Sequence, residues 1–348
     1  MTTDPDFELS IVMATYNRAD TLKRTLDYLA RQDIEPDRFE LIIVDDASPD
    51  NTPEVVAELI PELPYQVTFL RNETNHGPGY TQNRGIREAG APILMIMTDD
   101  VFMTPGALRA HMDFHHKNPG EEFAALGQVQ QSTELDNSAL MRNWDPFRFW
   151  LLEGVEDLPS YMFWACNVSC KRSFMEQHGM FKEHAGRGGP VAFEDLEVGY
   201  RLGLNGMKLH YLSQALAYHY HFYTIEQAEQ RWYERGLNFG ELREHVPDPV
   251  LTVYFHVLNA RTFREYIGVL RGDNPFHGKE RKISWHLIRH GIRMLVLNRI
   301  TAALVWKPLL YGAEKSRALE KLVNRGMYRA YFYYRFLHGV SDAQRRYL

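Results

Sequence analysis

Several groups of polar side chains in this sequence have the types and spacings that chemistry needs. Met95-Ile96-Met97-Thr98 is an apolar run that closes on two adjacent carboxylates, Asp99 and Asp100. Side-by-side carboxylates repel unless a cation, a donor or water separates their charges, so a hard divalent metal is a natural partner. Phe39 to Val44 closes in the same way on Asp45-Asp46, and Glu8 to Ala14 closes on Thr15-Tyr16-Asn17-Arg18. Arg84 offers a guanidinium, the planar donor suited to phosphate. Glu194 and Asp195 stand ahead of Leu196, Tyr200 and Leu204, whose helical spacing puts both acids at a helix N-terminus, where they would at least complement its dipole. Ala217-Tyr218-His219-Tyr220-His221 alternates as a strand does and sets both imidazoles on one face.

The elements that must carry these groups follow a regular rhythm. Apolar runs at 8–14, 39–44, 66–70 and 92–97 alternate with helical patterns opening near Asp20, Thr52, Tyr80 and Pro105. Such alternation predicts a doubly wound α/β sheet with its ligand site at the carboxyl ends of the strands, which brings three of the polar clusters to one edge. A dinucleotide-binding domain would carry Gly-x-Gly-x-x-Gly after the first strand, where this chain has Ala-Thr-Tyr-Asn-Arg, and no Walker loop exists. NAD chemistry and P-loop ATP hydrolysis are therefore set aside. At 348 residues and 45% hydrophobic content the chain can bury a large core. Cys166 and Cys170 are too few for a disulfide framework and are read as core thiols of a reduced compartment. The acidic start, Met1 to Phe7, has no signal-peptide pattern, and a cytoplasmic location is expected.

Taken together, Ser10-Ile11-Val12-Met13-Ala14-Thr15-Tyr16-Asn17-Arg18, Val44-Asp45-Asp46-Ala47-Ser48-Pro49-Asp50-Asn51-Thr52, Gln82-Asn83-Arg84-Gly85-Ile86 and Thr98-Asp99-Asp100 resemble the family 2 glycosyltransferases of the GT-A fold, up to about residue 235. The resemblance implies a Rossmann-like, mostly parallel sheet flanked by helices, and inverting transfer from a nucleotide-diphosphate sugar with Mn or Mg. It implies that Thr15, Tyr16 and Asp46 meet the base and ribose, with Arg18 in the same nucleotide-sugar site. Arg84 would lie near the base or diphosphate, Asp99 near the ribose or donor sugar, and Asp100 on the metal. Cys166 to Arg172 with Gly179-Met180-Phe181 resembles the family's acceptor-side segment. Inversion needs one carboxylate to take the acceptor's proton. The resemblance gives that role to Asp195, with Glu194 orienting the acceptor, behind the Gly186-Arg187-Gly188-Gly189-Pro190 lead-in. His221, and next to it His219, would join the metal or diphosphate, and imidazole favours Mn.

The chain departs from the family pattern in two places. Thr98 stands where the fuller Asp-x-Asp motif has its first carboxylate, although some members have only the adjacent pair. Gln227 and Arg231-Trp232 fall one residue wide of the Gln-x-x-Arg-Trp signature of processive synthases, and no stretch reaches about 18 uncharged apolar residues. A single-addition enzyme of cell-surface polysaccharide or glycolipid synthesis is expected. Its donor would be a nucleotide-diphosphate sugar, UDP first, and its acceptor a glycan or lipid-linked molecule; nucleic acid is not an expected partner. The alternative is a non-catalytic nucleotide-sugar or glycan binding protein with a decayed metal site. A glycosyltransferase domain is expected over 1–240, divided into a nucleotide half, 1–105, and an acceptor half, 106–240, with a helical extension over 241–348. The aromatic-rich stretch from Trp144 to Trp164 reads as core or as sugar-stacking surface. The net charge of -6 hides an asymmetry, because residues 277–348 hold about 15 Lys/Arg against about 4 Asp/Glu. A basic amphipathic helix over 282–295 and the aromatic run Tyr331 to Phe336 are compatible with peripheral membrane contact, a homodimer or packing on the acidic body.

Overall fold

The computed structural model describes residues 7–135, 137–144, 147, 149–152, 154–183, 193–246 and 297–346. The glycine-rich lead-in at 186–190 and the helix expected over 282–295 lie outside these. The chain forms two compact units, one of residues 1–131 with 147–220 and one of 132–146 with 221–348.

The first unit is built on a mixed sheet. Its strands are β1 (Leu9–Thr15), β2 (Phe39–Asp45), β3 (Gln66–Arg71), β4 (Ile93–Thr98), β5 (Val101–Met103), β6 (Phe123–Gln131), β7 (Asp157–Leu158), β8 (Asn167–Lys171) and β9 (Lys208–His219). The order is β3-β2-β1-β4-β8-β6-β9-β5, with β7 on β9. β3, β2, β1 and β4 pair in parallel, as the strand–helix alternation predicts, because each crossover carries a helix: α1 (Ala19–Ala30), α2 (Thr52–Leu59) and α3 (Pro78–Glu88). β8 then runs antiparallel to β4 and β6, so the second half of the sheet is mixed. This is the GT-A arrangement.

Burial follows from that topology. β1 and β2 are covered on both faces and are apolar almost throughout, and Leu22, Leu26 and Leu29 of α1 pack on Leu9, Ile11 and Met13. α3 lies close against the other face. A Cβ on Gly85 would come within 2.6 Å of Val12 Cγ1 and 3.2 Å of Val44 Cγ2, so glycine sets the helix-to-sheet distance. α4 (Ala107–Lys117) brings His111 and His115 into the interior, and α6 (Arg172–His178) and α7 (Glu194–Leu204) complete the unit.

The buried stripe of α7 differs from the expected one. Leu196, Gly199 and Leu202 face inward while Leu204 is 70% exposed, because a close approach of Ser160 and Phe163 to Gly199 turns the helix by that face. Glu194 is nonetheless the first helical residue.

In the second unit α5 (Ala139–Asn143), α8 (Ile225–His245) and the helices Lys307–Lys315 and Arg325–Arg346 surround a core containing Leu140, Ile225, Leu310, Tyr328, Tyr331 and Phe332. Thr224 and Gln227 form a capping box that starts α8. Trp144 packs edge-on against Trp232 and Phe332, and Tyr331 and Phe332 are buried, so these aromatics serve as core.

Candidate active site

The parallel strands end together, and backbone hydrogen bonds tie the loops that follow them. Asp46 N–H donates to Thr15 O at 2.9 Å and Asn72 N–H to Asp45 O at 2.8 Å. Asn17 N–H donates to Ser48 Oγ at 2.8 Å, so the loop after β1 is fixed on the loop after β2. Asn17 and Ala47 both take left-handed backbone, with φ of 57° and 60°, and Phe193 before α7 has φ of 83°. Non-glycine residues seldom occupy that region, and here all three lie in loops that present the polar clusters.

Asp99 and Asp100 are both buried, and the structure gives them different surroundings. Thr15 Oγ1 donates to Asp99 Oδ2 at 2.6 Å and Arg18 Nη1 to Oδ1 at 3.0 Å. Burial raises the Asp99 carboxyl above the usual carboxylate range despite the opposing charge of Arg18, with Asp100 adding to the rise. Asp100 accepts from Thr98 Oγ1 at 2.7 Å and also pairs with Arg18. Its Oδ2 lies 3.6 Å from His219 Nε2, and its carbonyl accepts from Tyr220 N–H at 2.7 Å, where β9 passes β5. Thr98 therefore orients Asp100 through its hydroxyl.

Ligand atoms of Asp100, His219 and His221, the residue two beyond the end of β9, all lie within 4.8 Å of one another. One carboxylate oxygen and two imidazole nitrogens form a donor set that can hold a divalent metal ion.

Asp46 and Arg84 meet through Asn72. Asp46 Oδ1 accepts from Asn72 Nδ2 at 2.7 Å and His76 N–H at 2.9 Å, and its Oδ2 accepts from Gly77 N–H at 2.8 Å. Arg84 Nη1 donates to Asn72 Oδ1 and to Arg71 O, both at 2.7 Å. The carboxylate thus organises the loop leading into α3. Asp45 is wholly buried on Ser48 and Arg71 and serves the turn. Tyr16 stands out, 47% exposed, at the mouth of the β1 loop.

Glu194 and Asp195 sit in the first turn of α7 with Glu197. Glu197 belongs to the scaffold: Arg201 Nη2 lies 3.1 Å from its Oε2, and the same guanidinium reaches the carbonyls of His178, Gly179 and Met180. Burial first, then the charges of Asp195 and Asp100, push the Cys166 thiol up, so both acids lie within electrostatic reach of this cysteine. Cys170 is the core thiol expected, buried and raised to about 12.

Other residues at this edge were not singled out from the sequence. Asn72 follows β3 and could have been found as a fourth polar strand end. Phe147 packs edge-on against His219 at 4.8 Å, and Gln131, in register with His219, has an amide with no hydrogen-bond partner among the described residues. Neither carries a local pattern, since long-range pairing alone brings them to the site.

Residues 10–179, just under half of the chain, match the model of Glycosyl transferase family 2. A validoxylamine A glucosyltransferase from Streptomyces hygroscopicus subsp. limoneus is 29% identical over 226 residues, 58% of this chain and 49% of that protein. The chain spans about half the length of the curated relatives it matches first. Among solved structures, the mannosyltransferase PcManGT from Pyrobaculum calidifontis, in complex with GDP-Man and Mn2+, has a TM-score of 0.57 at 17% identity, covering 98% of this chain and 90% of that one. S. aureus TarS 1-349 in complex with UDP-GlcNAc has a TM-score of 0.50 at 17% identity, covering 98% and 92%. At such identities the likeness concerns the fold.

Proposed function

We propose that this chain is a family 2 glycosyltransferase that moves a sugar from a nucleotide-diphosphate donor to an acceptor hydroxyl with inversion, one sugar at a time. The observation that carries the reading is the position of Asp100, held by Thr98 beside His219 at the ends of the strands. Residues 1–105 hold the nucleotide, 106–240 the acceptor, and 241–348 form an extension. UDP is the preferred nucleotide, as in the TarS complex, and Mn or Mg the metal, with Mn favoured by the two imidazoles and present in the PcManGT complex.

In this reading Asp195 takes the proton of the acceptor hydroxyl as its oxygen attacks the anomeric carbon. The new carbon–oxygen bond forms as the bond to the diphosphate breaks on the opposite face, and Glu194 orients the acceptor. Thr15, Tyr16 and Asp46 meet base and ribose, Asp99 the ribose or donor sugar, Arg84 the base or diphosphate, and Arg18 belongs to the same nucleotide-sugar site. A divalent ion on Asp100, His219 and His221 would offset charge on the leaving diphosphate. The product belongs to cell-surface polysaccharide or glycolipid, made in the cytoplasm or at the inner face of the membrane, with peripheral contact or dimer formation through the basic C-terminal part.

Asp195→Asn tests the base. Transfer is expected to fall by at least about a hundredfold, while nucleotide-diphosphate affinity measured by calorimetry stays unchanged. Turnover retained in that variant would remove Asp195 from the role.

A further inference from the structure

The helical segment from Arg299 to Lys315, followed by Arg317–Glu320, turns a row of large aliphatic side chains outward. Ile300, Leu304, Val305 and Leu322 are between 54% and 73% exposed. Ile300 and Leu304 stand one turn apart, and Val305 lies beside Leu304 within the π-helical turn Ala302–Trp306. Further along the same segment Leu319 rests on Gly312, whose Cβ would come within 2.8 Å of Leu319 Cδ1. Scattered exposed aliphatics such as Leu322 need no explanation by themselves, whereas Ile300, Leu304 and Val305 together on one helical segment mark a contact surface.

The charges around this row have one sign. Residues 299–325 contain six Lys/Arg and two acids, and Arg299, Lys307 and Arg317 pair with Asp342, Glu229 and Glu320. Glu314 is committed inward, and Glu320 is shared between Arg142 and the exposed Arg317 at 3.0 Å. Glu314 accepts from Leu140 N–H at 2.7 Å and Tyr328 Oη at 3.2 Å, and Glu320 holds Arg142 Nε at 2.6 Å. Lys315 and Lys321 are exposed and have no ion-pair partner among the described residues.

We propose that this face docks on an anionic lipid surface, with Ile300, Leu304, Val305 and Leu322 in the headgroup boundary and the lysines on lipid phosphates. Aliphatic side chains bordered by cations, without outward acids, are what an interfacial helix needs. A nucleic acid would use the cations and leave the aliphatic row unburied. A two-fold contact with a second copy would set Lys315 and Lys321 against like charges. No helix among the described residues is long and apolar enough to cross a membrane, so the contact would be peripheral. This inference gives residues to the membrane contact named in the proposed function and does not depend on the chemistry assigned to Asp195 or Asp100.

Co-sedimentation of the 348-residue chain with phosphatidylcholine vesicles, with and without phosphatidylglycerol, tests it. Binding is expected only with phosphatidylglycerol and should weaken as salt is raised. The double variant Ile300→Ser, Leu304→Ser should bind roughly tenfold more weakly, and Lys315→Ala with Lys321→Ala should flatten the salt dependence. Unchanged melting temperature and nucleotide affinity in the same variants keep misfolding, and failure of the transferase reading, distinct from failure of the docking surface. Undiminished binding of the serine variant, absence of binding to anionic vesicles, or a dimer that the serine variant dissociates would each overturn the proposal.

Discussion

In the proposed metal site, Thr98 decides between a weakened site and a modified one. Its hydroxyl donates to Asp100 Oδ1 at 2.7 Å, which orients the carboxylate so that Oδ2 meets Arg18 and faces His219. A second carboxylate at that position would add charge; the hydroxyl instead spends its proton on orientation. Thr98→Val removes the donor at nearly constant volume. It is expected to lower affinity for Mn about tenfold, the scale of one hydrogen bond to a charged group, as read by titration, while Thr98→Ser retains it. Equal affinities in the two variants would mean that Asp100 is held by its other neighbours alone. The distinction between Asp99 and Asp100 has a related origin: Arg18 pairs with both, but Thr15 binds Asp99 alone, and the passage of β9 sets Asp100 beside His219.

Among the elements, α4 and β8 are joined by a polar network inside the first unit. His111 lies 2.8 Å from Ser169 Oγ and 2.9 Å from Asn167 Oδ1, and His115 Nε2 lies 2.8 Å from the same serine. Burial holds the two imidazoles neutral, lowering them from 6.5 to about 4 and about 3. The native state therefore binds fewer protons than the unfolded chain once pH drops below about 6.5, and stability must fall as pH falls from there, by about 1.4 kcal/mol per pH unit for each histidine. Above that pH neither contributes. Asp99, whose carboxyl is raised, acts in the opposite sense, so the measurement is a comparison. Urea midpoints at pH 7 and pH 5 should separate more in the native chain than in the double variant His111→Asn, His115→Gln. Equal separations would place charged or solvated histidines at these positions.

At the scale of the whole molecule, each of the two units has its own packing device. In the second, α8 and the helix Arg325–Arg346 cross at Gly236 and Gly339. A Cβ on Gly339 would lie 2.9 Å from Leu237 N and 3.0 Å from Gly236 Cα, backbone atoms that cannot yield independently. Beside this crossing Glu229 is held by Arg335 at 3.0 Å, by Lys307 at 3.4 Å and by Tyr311 Oη at 2.8 Å. Gly339→Leu should force the helices apart and cost on the order of 1–3 kcal/mol, with a red shift of the fluorescence of Trp144 and Trp232, which pack on Phe332 nearby. An unshifted spectrum at unchanged melting temperature would show that the crossing accommodates the side chain.

The sequence by itself determined the parallel frame and most of the groups at its edge. Apolar period, turn residues and polar strand ends are local, so β1, β2, β4 and the positions of Thr15, Asp46 and Asp100 could be read from short windows. The stripe of α7 could not, because Gly199 faces inward where Ser160 and Phe163 approach, and Leu204 is left in solvent. Tertiary structure alone decided that Asn72 links Asp46 to Arg84, and that Gln131 and Phe147 stand beside His219. These neighbours come from strands and loops tens of residues apart, and strand order, which no local pattern encodes, is what makes them adjacent.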